Sequence, residues 1–136
     1  MISVSGVSTK KKELIEKIAW FFMRELRILR VQILFRSVDI PIGDANFEHD
    51  DGMFIIEISR HSTGEELIRS IAHELIHVEQ FHSGRLKIRG LTEIFDGIET
   101  STLQTRYHNL PSEIDAYQRE EELYKKCLDM MSIFEN

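Results

Sequence analysis

The first candidate for chemistry in this sequence is the pentapeptide HELIH, which contains His73, Glu74 and His77. On a helix, two side chains four residues apart lie one above the other, so both imidazoles can bind a single Zn²⁺. Glu74 is rotated by about 100° around the helix, where it can accept a proton from a water that the metal activates. The pattern predicts a catalytic zinc site with Glu74 as its general base.

A tetrahedral catalytic zinc site needs a third protein ligand, which leaves the fourth position to water. The extended motif HExxHxxGxxH does not supply it, because Gln80 and Ser83 stand where that motif has glycine and histidine. The ligand must therefore come from further along the chain. The candidates are Glu93, Asp96, Glu99, His108, Glu113, Asp115 and Glu120.

Helical periodicity separates the acids near the end of the chain. On a wheel of about 100° per residue, Asp115 falls on the polar arc and is expected to face solvent. Glu113 falls on the apolar arc, where an unpaired charge would be costly and a dication would compensate it. Ala116 is small enough to let the two helices approach closely. Glu113 is the predicted third ligand and Glu120 the reserve; the alternative for Glu113 is stabilisation of the first helical turn by the helix dipole.

Three amphipathic helices are predicted from apolar residues at three- and four-residue spacing. The first covers about residues 11–26, the second carries HELIH, and the third covers about residues 111–131. The signals at their ends are Ser8 or Thr9, the capping boxes of Ser62 with Glu65 or Thr63 with Glu66, Gly84 and Pro111. These helices would hold the candidate ligands.

Short strands are expected between the first two helices. Val31–Phe35 is a β-branched and aromatic run, and Ala45–Glu48 and Met53–Ser59 flank an Asp-Gly pair that favours a tight hairpin. Residues 85–110 show no clear period and are interpreted as a loop with one short helix, and residues 1–9 as a segment that can be flexible. The prediction is a single α+β domain over residues 1–136, with a small, mostly antiparallel sheet packed on the HExxH helix.

Composition and charge limit the possible partners. The chain has 17 Lys+Arg against 23 Asp+Glu, and the net charge of −6 argues against a surface that binds nucleic acid. Cys127 is the only cysteine, which excludes an internal disulfide and fits a reducing compartment. The sequence shows neither a secretory signal nor a membrane segment. We therefore expect a cytoplasmic protein without nucleic-acid or membrane partners; the oligomeric state is not predicted.

Two segments carry a resemblance to a known family. HELIHVEQ (73–80) and LPSEIDAY (110–117) resemble motifs of zincin metallopeptidases of the gluzincin type, in particular small HExxH proteins of phages and bacteria. The resemblance implies a minimal zincin-like fold, His73, His77 and Glu113 as ligands of one zinc ion, and Glu74 as general base. Larger gluzincins usually carry an aspartate four residues after the ligand glutamate, which orients a histidine. Here Tyr117 takes that place, so the resemblance leaves the partner of the histidine open.

The reaction expected from such a site is hydrolysis of a peptide bond in a peptide or protein substrate. Glu74 would accept a proton from the activated water and later deliver it to the leaving amine. Tyr107 and His108 are candidates to donate to the developing oxyanion, with packing as the alternative. The segment 53–58 is a candidate edge strand for an extended substrate, or simply core. Gln80 either supports a ligand or lies at the helix edge.

Two other functions are consistent with the same motif. The first is a non-catalytic zinc-containing protein of the same fold that acts in binding or as a scaffold. Glu74 argues against it, because a structural site needs no base. The second is a peptidase that trims proteins from DNA, and the acidic net charge argues against that one.

Overall fold

The computed structural model describes residues 1–50 and 52–135, with side chains through residue 132. These residues form three α-helices and seven strands, and the predicted α+β class is confirmed. The helices are α1 (Thr9–Glu25), α2 (Gly64–His82) and α3 (Pro111–Glu135). The strands are β1 (Ile2–Ser5), β2 (Gln32–Val38), β3 (Ala45–Asp50), β4 (Met53–Ser59), β5 (Leu86–Arg89), β6 (Thr92–Phe95) and β7 (Ile98–Ser101), and a 3₁₀ turn (Tyr107–Asn109) precedes α3.

The main sheet has the order β1-β2-β4-β3 and is mixed rather than mostly antiparallel. β1 pairs with β2 in parallel, as does β2 with β4, and only β3 and β4 form an antiparallel hairpin. The expected flexibility of residues 1–9 is wrong for Ile2–Ser5, because these residues pair with Ile33–Arg36. α1 supplies the crossover that a parallel pair of this kind requires.

The position of β4 corrects the prediction of a substrate-binding edge at residues 53–58. β4 lies between β2 and β3, so its backbone groups are paired on both sides. Among the described strands of this sheet, β3 is the edge next to β4. The predicted hairpin turn includes Asp51, which lies outside the described residues; Gly52 has a φ of +79°.

The predicted helix ends agree with the structure at three places and differ at one. Ser8 caps α1 by accepting a hydrogen bond from the backbone N–H of Lys11, α3 begins at Pro111, and Gly84 follows α2 with a φ of +81°. The predicted capping boxes of α2 are wrong. Thr63 makes no side-chain cap, and the hydroxyl of Ser62 instead accepts from the backbone N–H of Gly43.

The core lies where α1 and α2 pack against the main sheet, and α3 packs against α2 and contributes to the same core. Its largest fully buried side chains are Phe22, Phe35, Ile15, Ile18, Met23, Ile33, Ile56, Ile58, Leu67, Ile71, Leu75 and Ile76. α2 is buried over most of its circumference, including its polar side chains at the HELIH motif. A helix enclosed in this way is a rigid support for a functional site.

The interpretation of residues 85–110 as a loop is wrong for most of its length. β5, β6 and β7 form a second, antiparallel sheet, and only the 3₁₀ turn corresponds to the expected short helix. Each strand has four residues, which is too short for a clear alternation of apolar and polar side chains. The sequence does contain one signal for this sheet, the pair Asp96-Gly97, because Asp-Gly is typical of a tight hairpin turn. In the structure both residues have positive φ and form the turn between β6 and β7.

Among the residues that the structure describes, none of the helices combines the length and the apolar character needed to traverse a bilayer.

Gly6 provides a test of the joint between β1 and α1. Its φ is +84°, and a Cβ added there would lie 3.0 Å from the carbonyl oxygen of Ser37 in β2. Gly97 has a φ of +83° but nothing within 4 Å of an added Cβ. Gly97→Ala should cost about 1–2 kcal/mol from backbone strain alone, and Gly6→Ala should cost more because β2 must shift. Urea unfolding measures both free energies; equal costs would contradict the role of the close contact.

Candidate metal centre

Three side chains from the helices α2 and α3 converge in the interior of the protein. His73 and His77 come from α2, and Glu113 comes from the first turn of α3. The Nε2 atom of His73 lies 2.8 Å from Oε1 of Glu113, and Nε2 of His77 lies 3.0 Å from its Oε2. The two Nε2 atoms are 3.3 Å apart. The structure thus brings together the three ligands that the sequence predicted, and all three are buried.

The separation of these atoms suits a small metal ion. Around a tetrahedral Zn²⁺ with bonds of ~2.0–2.1 Å, ligand atoms lie ~3.3 Å apart. The two Nε2 atoms are 3.3 Å apart, and they lie 2.8 and 3.0 Å from different oxygens of Glu113. One ligand atom from each of the three residues lies within 4.8 Å of the other two. Two imidazole nitrogens and one carboxylate are also a frequent donor set for catalytic zinc. His73, His77 and Glu113 could therefore hold one such ion.

Glu120, the reserve ligand, has a different position. Its Oε1 lies 2.9 Å from Nδ1 of His73, and its Oε2 accepts a hydrogen bond from Arg69. A carboxylate can only accept here, so Nδ1 of His73 is the donor and its Nε2 is directed at Glu113. The ring of Tyr117 packs against that of His73, with centroids 4.6 Å apart. Glu120, seven residues after Glu113, thus orients the histidine that the resemblance left without a partner.

Gln80 orients the second histidine in the same way. Its Oε1 lies 2.8 Å from Nδ1 of His77, while its amide nitrogen donates to the backbone oxygen of Ser112 and to Asp115. Since the amide nitrogen is already engaged as a donor, Nδ1 of His77 must donate to Oε1. Gln80 is fully buried. Of the two roles considered for this residue, the structure supports that of a partner to a ligand.

Asp115 does not face solvent as predicted. Its side chain is 21% exposed, accepts from Gln80, and pairs with Arg119 at 3.1 Å. The helical wheel placed Asp115 correctly on the polar arc of α3, but this part of the arc does not face solvent. It faces Glu79 of α2 and Arg85, with which its charged side chains form ion pairs. Sequence reasoning did not identify the roles of Arg85, Arg119 and Ser112, since each depends on contacts between distant segments.

Burial and pairing shift the pKa values of the central groups. Burial alone would raise the pKa of Glu113, but hydrogen bonds from His73 and His77 lower it to about 2. Burial would lower the pKa of His73, but hydrogen bonds to Glu113 and Glu120 raise it to about 9. The site therefore stabilises a negative Glu113 next to positive charge.

Glu74 lies beside this cluster and lines the cleft that leads to it. It is 6% exposed, and burial raises the pKa of its carboxyl group against the opposing effect of the two histidines. A raised pKa brings a carboxylate closer to the range in which it exchanges protons near neutral pH. Its position and environment match those of a general base.

Of the two candidate oxyanion donors, the structure brings only Tyr107 to the centre. Its side chain lines the cleft together with Glu74 and Glu113, and the residue is half exposed. Burial raises the pKa of its hydroxyl group, which keeps the proton available for donation. His108 is exposed and packs against the rings of Tyr107 and Tyr117. It is not among the described residues that line the cleft.

The cleft runs along β3 and has two halves of about 580 and 570 Å³, which share Ala45, Asn46, Glu74 and Tyr107. The first half contains charged residues such as Asp44 and Glu66. The second half is mainly apolar where Phe47, Phe81, Leu86, Ile88 and Leu110 line it. The candidate metal ligands thus lie at the junction of two subsites of different chemistry.

The remaining third-ligand candidates have other partners or positions. Glu93 is buried and accepts hydrogen bonds from Ser112. Asp96 pairs with Arg85 at the protein surface, and Glu99 is exposed on β7.

Comparison with known protein families, curated proteins and solved structures gives no significant match to this chain. Function must therefore be inferred from the geometry described above.

Gln80 offers a test of this polar network in the metal-free protein. Gln80→Leu would leave the Nδ1 proton of His77 and the carbonyl oxygen of Ser112 without hydrogen-bond partners. It would also remove one of the hydrogen bonds that Asp115 accepts. Each unsatisfied buried group costs about 1–3 kcal/mol, so the loss of stability should exceed about 2 kcal/mol. Gln118→Leu makes the same change on the exposed face of α3 and should stay within about 0.5 kcal/mol. Urea unfolding with a chelator present measures both; similar values would contradict the role given to Gln80.

Proposed function

We propose that the protein is a zinc-dependent metallopeptidase that hydrolyses peptide bonds in a peptide or protein substrate. The observation that carries the proposal is the convergence of His73, His77 and Glu113 beside the buried carboxylate of Glu74. A site that only holds a metal for structure has no need of a base at the wall of an open cleft. The motif and the arrangement of the cleft support the same function.

The division of roles follows from the positions of the side chains. His73, His77 and Glu113 would hold the zinc ion, which supplies the Lewis acid that activates water and polarises the scissile carbonyl. Glu74 accepts a proton on its carboxylate and returns it to the leaving amine. Tyr107 donates its hydroxyl hydrogen bond to the oxygen on which negative charge develops. Glu120 and Gln80 keep both ring nitrogens Nε2 directed at the centre.

An extended peptide chain is the substrate form that suits this cleft. β3 borders the cleft and pairs with β4 on one side, which leaves its other edge for main-chain hydrogen bonds to a substrate. The apolar half of the cleft would receive an apolar side chain next to the scissile bond. The proposal replaces β4 by β3 as the strand that binds substrate, and we place the reaction in the cytoplasm because the single cysteine fits a reducing compartment.

The ligand set predicts how metal content changes with mutation. The purified protein should bind one equivalent of zinc. Glu113→Gln should weaken zinc binding more than about 100-fold, which exceeds the effect expected of residues that only orient a ligand. Asp115→Asn keeps an oxygen acceptor for Gln80 and should weaken binding no more than about 10-fold. Competition with a chromophoric chelator measures both constants. Zinc binding that is insensitive to Glu113→Gln would refute the ligand assignment.

A substitution of Glu74 should separate metal binding from catalysis. Glu74→Gln should bind zinc as the unchanged protein does but lower kcat/KM by about 10²–10⁴-fold, because the amide cannot accept the proton. Cleavage of denatured casein by the zinc-loaded proteins, followed by mass spectrometry, measures the loss. Hydrolysis that survives the substitution would contradict the role of Glu74. A zinc-loaded protein that cleaves nothing would instead support the binding or scaffold protein.

A further inference from the structure

Glu93 is a buried carboxylate in a place where an apolar side chain would be the less costly choice. It lies on β6, is 2% exposed, and borders the mainly apolar half of the cleft. Burial of a carboxylate without compensation costs several kcal/mol, so the groups that donate hydrogen bonds to Glu93 indicate why it is buried. Both of its oxygens are engaged by one residue, Ser112, at the start of α3. The backbone N–H of Ser112 donates to Oε2 at 3.1 Å, and its hydroxyl group donates to Oε1.

Ser112 is fixed from the opposite side by α2. Its carbonyl oxygen accepts a hydrogen bond of 3.0 Å from the amide nitrogen of Gln80, which also orients His77. Ser112 is therefore held between β6 and α2 by two buried polar side chains. The next residue is Glu113, whose backbone N–H closes the first turn of α3 on the carbonyl oxygen of Leu110 at 2.9 Å. Any rotation of this turn would displace the Glu113 carboxylate from the two histidines.

The charge of Glu93 also suits its position. The first backbone N–H groups of a helix have no partner within the helix and carry a partial positive charge. A carboxylate that accepts from such a group forms a charge-assisted hydrogen bond, which is stronger than a neutral one. β6 thus contributes an anchor for α3 that a neutral side chain would supply less well.

We propose that Glu93 is a positioning residue of the metal centre. It holds the first turn of α3 so that the carboxylate of Glu113 meets His73 and His77. The antiparallel sheet β5–β7 then has a defined purpose, since its middle strand carries Glu93 into the space between the cleft and α3. The consequence for zinc binding rests on the proposed function, whereas the effect on the first turn of α3 does not.

Two measurements test the proposal on Glu93→Ala. In the metal-free protein, amide hydrogen exchange at residues 112–114 should accelerate at least about 10-fold, because the anchor of this turn is lost. Zinc affinity should fall by about 10–100-fold, the range expected for a residue that orients a ligand. Glu93→Gln keeps an acceptor for the N–H of Ser112 and should recover part of both effects. Glu99→Ala removes an exposed carboxylate from the same sheet and should change neither.

A folded Glu93→Ala protein with unchanged exchange at residues 112–114 and unchanged zinc affinity would overturn the proposal. If this variant does not fold, Glu93→Gln decides the question, because it keeps the shape of the side chain but removes its charge and replaces one acceptor oxygen by a donor. Unchanged exchange and zinc affinity in Glu93→Gln would then refute the proposal. If the unsubstituted protein binds no zinc, the proposed function fails, and the exchange data alone still decide whether Glu93 holds the turn.

Discussion

The structure depends on one electrostatic constraint, which is the meeting of two imidazole Nε2 atoms and a carboxylate in a buried space. Because Glu120 and Gln80 accept the Nδ1 protons, a neutral imidazole at either position presents a lone pair to Glu113. Lone pairs at separations of 2.8 to 3.3 Å repel one another unless positive charge lies between them. The surrounding residues therefore have to fix not only where the rings lie but also which nitrogen faces inward.

The fold meets this constraint with two helices that are held at several points. α2 is enclosed by the main sheet and α3, so its histidines cannot move with a fraying helix end. Ala116 is fully buried on α3 and belongs to the same core cluster as the apolar side chains of α2. Ser112 is bonded to Gln80 on one side and to Glu93 on the other. The first turn of α3, where the backbone N–H groups have no partner within the helix, is thus held by contacts with both α2 and β6.

The parts of this site that could be predicted from the sequence depend on local periodicity. Positions i and i+4 on one helix placed His73 and His77 together, and the phase of the apolar arc directed Glu113 inward. Periodicity cannot identify which distant group a side chain meets, so Glu120 was assigned as a reserve ligand and Asp115 as exposed. The four-residue strands β5–β7 were overlooked because their stability comes from pairing with one another and from packing on the body, not from a pattern within each strand.

The distribution of cationic side chains shows which negative charges the protein neutralises by itself. Glu120 is paired with Arg69, and Asp115 is paired with Arg119, so these carboxylates need no further partner. Among the described residues, Glu74 and Glu113 form no ion pair with a lysine or arginine, although both are buried. Two negative charges beside two imidazoles can be neutralised by two protons on the rings or by one divalent cation in their place. The arginines therefore leave these two carboxylates to be neutralised at the centre itself, either by protons on the two imidazoles or by a divalent cation in their place.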